Sequence, residues 1–305
     1  MIEELVLPLY FYMSKIANQK NYRPIRLLAL DIDGTLAAND RHEVSPRTRA
    51  ALHGLEKLAV NIVLVTGRRY RSTRWVVENL GLKVHSISHG GTLLKCPNEN
   101  TLHSYDLAAE EVGQLVKLAR EMNMCLFGQR DSHSEGGVDF VIDSEPAANQ
   151  DTTTYYEANR HFAAIFSLSS CSERFLNLGC FDTEKNLTCF AKAIEAAFPG
   201  QFNPLVLPPG PNATGWYCEI TSRRADKWKA LKKLGRILNI EDQEVCAVGD
   251  HLNDIPMVRQ AGHGFAMSNA RQELKDIADG ICGSYDDDGL LPVIDYIWKF
   301  NHQGA

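Results

Sequence analysis

The sequence predicts an α/β protein: a doubly wound parallel sheet with helices on both faces, interrupted by an inserted α+β domain. Three observations carry this. Short apolar strands alternate with helix-periodic segments from Ile25 onward and again toward the C-terminus. Those strands are continuously apolar rather than alternating, as expected where a sheet is covered on both faces. Between them, residues 92–214 change character, with polar and glycine-rich tracts such as DSHSEGG at 131–137 separating helical and strand-like runs.

Taken in order, Ile25 to Leu30 reads as the first strand. Ser45-Pro46 supplies an N-cap followed by proline at the first helical position, and Ala51, Leu52, Leu55 and Leu58 recur at helical spacing behind it. Ile62 to Val65 is a second strand ending in Thr66-Gly67-Arg68. A helix follows from about Tyr70 to Leu80, stopped by Gly81, and Val84 to Ser88 is a third strand. In the middle block, helices are expected over Leu107 to Glu121 and Thr183 to Ala197. Strands are expected over Cys125 to Phe127, Val138 to Ile142 and Phe175 to Cys180. The alternation then resumes: a helix beginning near Asp226, a strand Val245 to Val248 ending in Gly249-Asp250, a short helix to about Gln260 and a strand Gly264 to Ala266. Helices near Ala270 to Ala278 and Leu290 to Phe300 finish the chain. The reading therefore assigns 26–91 and 215–305 to a core and 92–214 to an insert, with 1–25 as an N-terminal extension. In that extension the apolar run Leu5 to Met13 is too short to span a membrane and carries Glu3 and Glu4 where a leader has basic residues. Its role stays open.

At 305 residues the chain is long enough for one large domain or two ordinary ones, and its 44% apolar content suffices for a buried core. The net charge of −6, without a basic run, argues against nucleic acid as a partner. Eight cysteines form no C-x-x-C pair and no zinc spacing, which suits reduced thiols in a cytoplasmic protein.

Chemistry is concentrated where the apolar runs stop. LLALDIDGTL ends a buried-looking strand in Asp31 and Asp33, and the other core strands end in Thr66 and Asp250. In open parallel sheets ligands bind beyond the carboxyl ends of the strands, so these polar ends should converge. Two carboxylates about 4 Å apart repel by roughly 4 kcal/mol at an effective dielectric near 20. Three together would cost on the order of 10 kcal/mol, comparable with the stability of a whole domain. A cation must offset this. Oxygen ligands without histidine or cysteine favour Mg2+, which keeps waters for a phosphate. One of the paired acids could then act as nucleophile and the other as general acid and base.

DIDGT at 31–35, Thr66 in VTGR, Lys227 in ADKWKAL and GDHLND at 249–254 occur in that order. Together they resemble the four motifs of the haloacid dehalogenase-like phosphatases, and the insert between the second and third resembles the large cap of the Cof-type branch. The resemblance implies a Rossmann-like core and an aspartyl-phosphate mechanism. It makes Asp31 the nucleophile and a Mg2+ ligand. Asp33 becomes the acid/base, lending its backbone carbonyl to the metal. Thr66 and Asn253, with Gly34 and Gly67, would bind phosphate, and Lys227 would neutralise its charge. Asp250 would ligate Mg2+, and Asp254 would steady the metal's waters or Lys227. Relatives often carry Asn-Gly after the third strand; here Ser88-His89-Gly90-Gly91 stands there, its glycines suited to a tight turn or a close approach.

Other residues leave alternatives. Arg68 and Arg69 suit either substrate contact or a structural ion pair, and Arg130 and His133 are candidates for substrate selection. Asp286-Asp287-Asp288 reads as an acidic turn before the last helix. The expected activity is hydrolysis of a small phosphorylated metabolite such as a sugar phosphate. A sugar phosphomutase on the same scaffold and a non-enzymatic regulator binding a phosphorylated ligand are the rivals. Phosphate release separates the first two, and inactivity across a panel of phosphates would favour the third.

Overall fold

A computed structural model describes residues 23–38, 43–132, 137–170, 172–209 and 215–302. Most of the N-terminal extension and His133 therefore lie outside the described residues.

The chain enters through β1 (Leu27–Leu30), whose LLAL residues are all buried. Helix α1 (Pro46–Glu56) begins as its sequence predicts, with Ser45 Oγ accepting the Thr48 N–H at 3.1 Å and Pro46 in the first turn. β2 (Asn61–Val65), α2 (Tyr70–Leu80) and β3 (His85–Ser88) follow, then the short strands β4 (Leu93–Lys95) and β5 (Thr101–Ser104). The next elements are α3 (Ala109–Glu121), β6 (Phe127–Gln129), β7 (Phe140–Asp143), α4 (Gln150–Asn159), β8 (Ala163–Phe166), β9 (Asn177–Asp182), α5 (Glu184–Ala197), β10 (Phe202–Leu207) and β11 (Trp216–Ser222). The chain closes with α6 (Lys227–Leu238), β12 (Val245–Gly249), α7 (Ile255–Gln260), β13 (His263–Ala266), α8 (Gln272–Lys275), β14 (Gly280–Ile281) and α9 (Leu291–His302).

Two compact units result. Among the described residues, one comprises those within 23–68, 72–102 and 226–302, the other those within 69–71 and 103–225. The sequence reading cut the chain after Gly91 and again before Gly215. The contacts divide it later at both places, because β4 and β5 extend the first unit's sheet and β11 is an inner strand of the second's.

The first unit holds an eight-stranded sheet in the order β14-β13-β12-β1-β2-β3-β4-β5. Its pairings are parallel from β14 through to β3, as expected of the core, and β4, from a stretch assigned to the insert, adds an antiparallel edge against β3. Chain order reverses at β1, with β2 on one side and β12 on the other. Leu30 lies opposite Val248 and Leu64, so the segments following all three strands emerge at one edge.

The second unit holds a six-stranded sheet in the order β10-β11-β9-β6-β7-β8, antiparallel except for β7 with β8. Leu115, Val116, Phe190 and Ile194, from α3 and α5, join Leu126, Val141, Leu178 and Ile220 in one buried cluster. Phe127, Phe140 and Ile142 form another, against which Tyr155, Phe181 and Tyr217 stack. Arg69 and Arg71 belong to this unit, and both pair with the buried Asp139, Arg71 at 2.5 Å and Arg69 at 3.4 Å. Arg69 is thus committed to an ion pair. Arg130 donates to Glu173 and to the Val138 carbonyl.

The segment after β3 fixes where α6 begins. Gly91 has φ +106°, and a Cβ there would lie 2.4 Å from the backbone carbon and oxygen of Asp226. Its glycine therefore permits a close backbone approach at the start of α6. Gly91→Ala should lower unfolding free energy by about 2 kcal/mol or more, combining left-handed strain with the clash. The same change at Gly113 inside α3, where a Cβ meets open space, should raise it by about 0.5–1 kcal/mol. Urea denaturation of the two variants checks both signs.

Candidate active site

The polar strand ends meet at the edge beyond β1. The Asp31 N–H donates to the Val248 carbonyl at 3.1 Å, which carries the β1–β12 pairing one residue further and sets Asp31 beside Gly249-Asp250. Lys227 occupies the first turn of α6, capped by Asp226 through the Lys229 N–H at 2.7 Å. Its side chain is only 1% exposed, and its Nζ donates to Asp31 Oδ1 and to Asp254 Oδ1, both at 2.6 Å. Asp254 Oδ2 in turn accepts the backbone N–H groups of Asp250 at 3.0 Å and His251 at 2.9 Å.

One ligand atom from each of Asp31, Asp250 and Asp254 falls within 4.8 Å of the others. The crowding leaves an electrostatic signature. Burial raises the Asp31 carboxyl well above its ordinary range against the opposing pull of Lys227, with Asp254, Asp250 and Asp33 adding to the rise. Burial, then Asp254, push Asp250 up to about 7. Burial works against the Lys227 charge, but Asp254 and Asp31 outweigh it, so the ammonium stays protonated. One lysine does not balance these acids, and an all-oxygen donor set of this kind fits a hard divalent cation.

The loop Gly34-Thr35 closes over this cluster. Gly34 has φ +77°, and a Cβ there would stand 2.4 Å from Asp250 Oδ2. Asn269 Nδ2 donates to the Gly34 carbonyl at 2.8 Å, and Thr35 Oγ1 lies 3.5 Å from Asp250 Oδ1. Thr66, 1% exposed, is held by its N–H to the Ile87 carbonyl at 2.8 Å and accepts the Arg68 N–H on Oγ1 at 3.1 Å. Asn253 lies near Gly67, its Nδ2 3.8 Å from where a Cβ on Gly67 would be, and its Oδ1 is buried without a hydrogen-bond partner among the described residues.

Asp33 takes a different course. Its carboxylate accepts from Arg68 Nε at 2.7 Å and Nη2 at 2.6 Å, a bidentate pair, and does not join the other three acids. Arg68 in this role, together with Asn269 and Thr35, was not anticipated from the sequence. Thr35 at least adjoins the paired acids, whereas Asn269 carries no local signal. Of the acids at 286–288, Asp288 is in use elsewhere: it accepts from Ser45 Oγ and from Thr48 Oγ1, the latter at 3.1 Å, and Arg47 pairs with it. It thereby braces Ser45, the N-cap of α1.

The sequence matches the haloacid dehalogenase-like hydrolase family over residues 28–294. The chain belongs to this family. The phosphatase YwpJ of Bacillus subtilis is 28% identical over 287 residues, covering 90% of this chain and 100% of its own. The HMP-PP phosphatase of Yersinia pseudotuberculosis is 28% identical over 254 residues, 82% of this chain and 86% of that one. A haloacid dehalogenase-like hydrolase structure from B. subtilis superposes with a TM-score of 0.71 at 26% identity, covering 88% of this chain and 99% of that one. The chain is accordingly a phosphoric monoester hydrolase of the family, whose phosphatases generally use a divalent metal. No helix among the described residues is long and apolar enough to cross a membrane.

The acid cluster predicts how a cation should act on stability. Unfolded, Asp250 titrates near 3.8; folded without metal, near 7. A raised folded pKa contributes stability below the unfolded value and loses it as pH climbs through the folded one. Between these limits the metal-free fold is therefore weakened by rising pH, and a divalent cation should relieve more strain at about pH 8 than at about pH 5. Thermal unfolding with and without MgCl2 at the two pH values should show the larger shift at the higher one.

Proposed function

We propose that this enzyme is a Mg2+-dependent phosphatase of a small phosphorylated metabolite, a sugar phosphate or similar, working through an aspartyl-phosphate on Asp31. The observation that carries the reading is the buried ammonium of Lys227, bonded to Asp31 and Asp254 beside Asp250. Such an arrangement suits phosphoryl transfer, where the protein chiefly positions groups and neutralises charge.

In this reading Lys227 holds Asp31 by Oδ1, leaving Oδ2 to attack phosphorus. The new bond joins Asp31 to phosphorus, and the ester bond to the leaving oxygen breaks. Asp33, entering this step in its protonated form, gives that oxygen a proton. Asp33 then takes a proton from water as the water attacks phosphorus, which releases phosphate and restores the Asp31 carboxylate. Thr66 Oγ1, Asn253 Nδ2 and the Gly67 N–H are the donors assigned to the phosphoryl oxygens; the Gly34 N–H expected beside them is taken by the Ala37 carbonyl at 2.9 Å, so Gly34 serves close approach instead. Lys227 still has a third N–H for the same purpose. Asp31, Asp250 and the Asp33 backbone carbonyl would hold Mg2+, which when bound neutralises charge on the phosphoryl group, while Asp254 anchors Lys227.

Asp31→Asn keeps the shape of the side chain and removes the nucleophile. It should lower hydrolysis of p-nitrophenyl phosphate by at least about 1,000-fold while leaving the circular dichroism spectrum unchanged. Substantial turnover by this variant, with Mg2+ present, would overturn the nucleophile assignment.

A further inference from the structure

Arg68 lies between two parts of the site that the chain brings from different strands. Its side chain, 9% exposed, grips both oxygens of Asp33 through Nε at 2.7 Å and Nη2 at 2.6 Å. Its backbone is fixed at both ends of the same residue: the N–H donates to Thr66 Oγ1 at 3.1 Å, and the carbonyl accepts the His89 N–H at 2.9 Å. The guanidinium therefore springs from a short segment pinned to Thr66 and reaches across to the loop after β1. A guanidinium fork fixes the plane of a carboxylate as well as its position, which a point charge does not.

We infer that Arg68 is the positioning residue for Asp33, orienting its carboxylate toward the leaving-group oxygen. The two hydrogen bonds reach one oxygen each and so set the tilt of the carboxylate as well as its place. The Asp33 side chain is 33% exposed, against 9% for Arg68, so the acid of the pair is the partner more open to solvent. Removing the fork takes away both of these hydrogen bonds, so the carboxylate is held less firmly and proton transfer to the departing oxygen slows. This inference rests on the proposed acid/base role of Asp33, and the experiment separates the two.

The test uses leaving groups that differ in their need for a proton. A phenolate departs unassisted, whereas an alkoxide requires protonation. kcat/KM reports the steps through leaving-group departure, so it isolates this contribution from hydrolysis of the aspartyl-phosphate. The two substrates are p-nitrophenyl phosphate and the fastest alkyl phosphate from a panel of phosphorylated metabolites. Arg68→Ala should lower kcat/KM about 100-fold on the alkyl ester and less than about 10-fold on the aryl ester, the span expected of lost general-acid catalysis. Arg68→Lys, which keeps the charge without the fork, should fall between and carries the test alone if the alanine variant does not fold. In an Asp33→Asn background, Arg68→Ala should cost less than about threefold more, because both changes remove one function. Equal losses on the two esters, or losses that multiply in the double variant, would show Arg68 to be a general brace and overturn the inference. If Asp33→Asn itself shows no difference between the esters, the acid role of Asp33 fails first and the inference falls with it. A leaving-group split in Asp33→Asn without one in either Arg68 variant defeats the inference alone.

Discussion

A buried ammonium between carboxylates is the constraint on which the rest of this site depends. Lys227 is almost wholly removed from water, and an isolated charge there would be prohibitively costly. It is tolerable because Asp31 and Asp254 each accept a hydrogen bond from it, and because Asp254 is itself tied to two backbone N–H groups. Buried ion pairs of this kind contribute little net stability against an apolar alternative, since desolvation consumes most of the attraction. What they supply is a fixed geometry. The ammonium can be satisfied only if the ends of β1, α6 and the turn before α7 are all in place.

The fold explains how residues so far apart in sequence come to share one ammonium. Reversal of strand order at β1 leaves β12 and β2 as its two neighbours, and parallel registration sends all three carboxyl ends the same way. Backbone then approaches where side chains would obstruct. The Gly34 loop can lie against Asp250 because it has no Cβ, and the Gly91 turn can lie against Asp226 for the same reason. The departure from Asn-Gly after the third strand therefore preserves a physical role: the HGG turn contributes close contact at the base of the helix that carries Lys227.

Legibility in the sequence followed the range of the interactions involved. The core strands are buried on both faces, so their apolar runs were continuous and their polar terminations plain; Asp31, Thr66 and Asp250 could be placed at strand ends before any coordinates. The inserted unit was harder. Its sheet carries mixed residues, and the expected Cys125 to Phe127 and Phe175 to Cys180 sit about two residues ahead of β6 and β9. β11 (WYCEITS) is absent from the elements expected of the sequence, although it pairs on both sides. Helix α4 has no apolar stripe; Asn149 caps it through the Thr152 N–H at 2.9 Å, a signal too short to stand out. The partner of Asp33 was beyond reach for a different reason. Arg68 and Arg69 are adjacent and chemically alike, and only the path of the backbone after β2 sends one to Asp33 and the other to Asp139.

That division of the acids has a physical logic. Carboxylates crowded on one centre raise each other's cost of ionisation, and Asp33 adds to the rise on both Asp31 and Asp250. Pairing Asp33 with a cation of its own, Arg68, offsets that charge and keeps its oxygens out of the three-acid cluster. The two cations are suited to their tasks. A lysine offers a compact charge with three rotatable donors, able to serve two carboxylates and still turn one N–H toward a phosphoryl oxygen. An arginine offers a rigid fork that dictates the plane of a single carboxylate. Exchanging the two would place an oversized, planar group in the space Lys227 fills and leave Asp33 held by a freely turning point. The chemistry of each acid therefore follows from which kind of cation holds it.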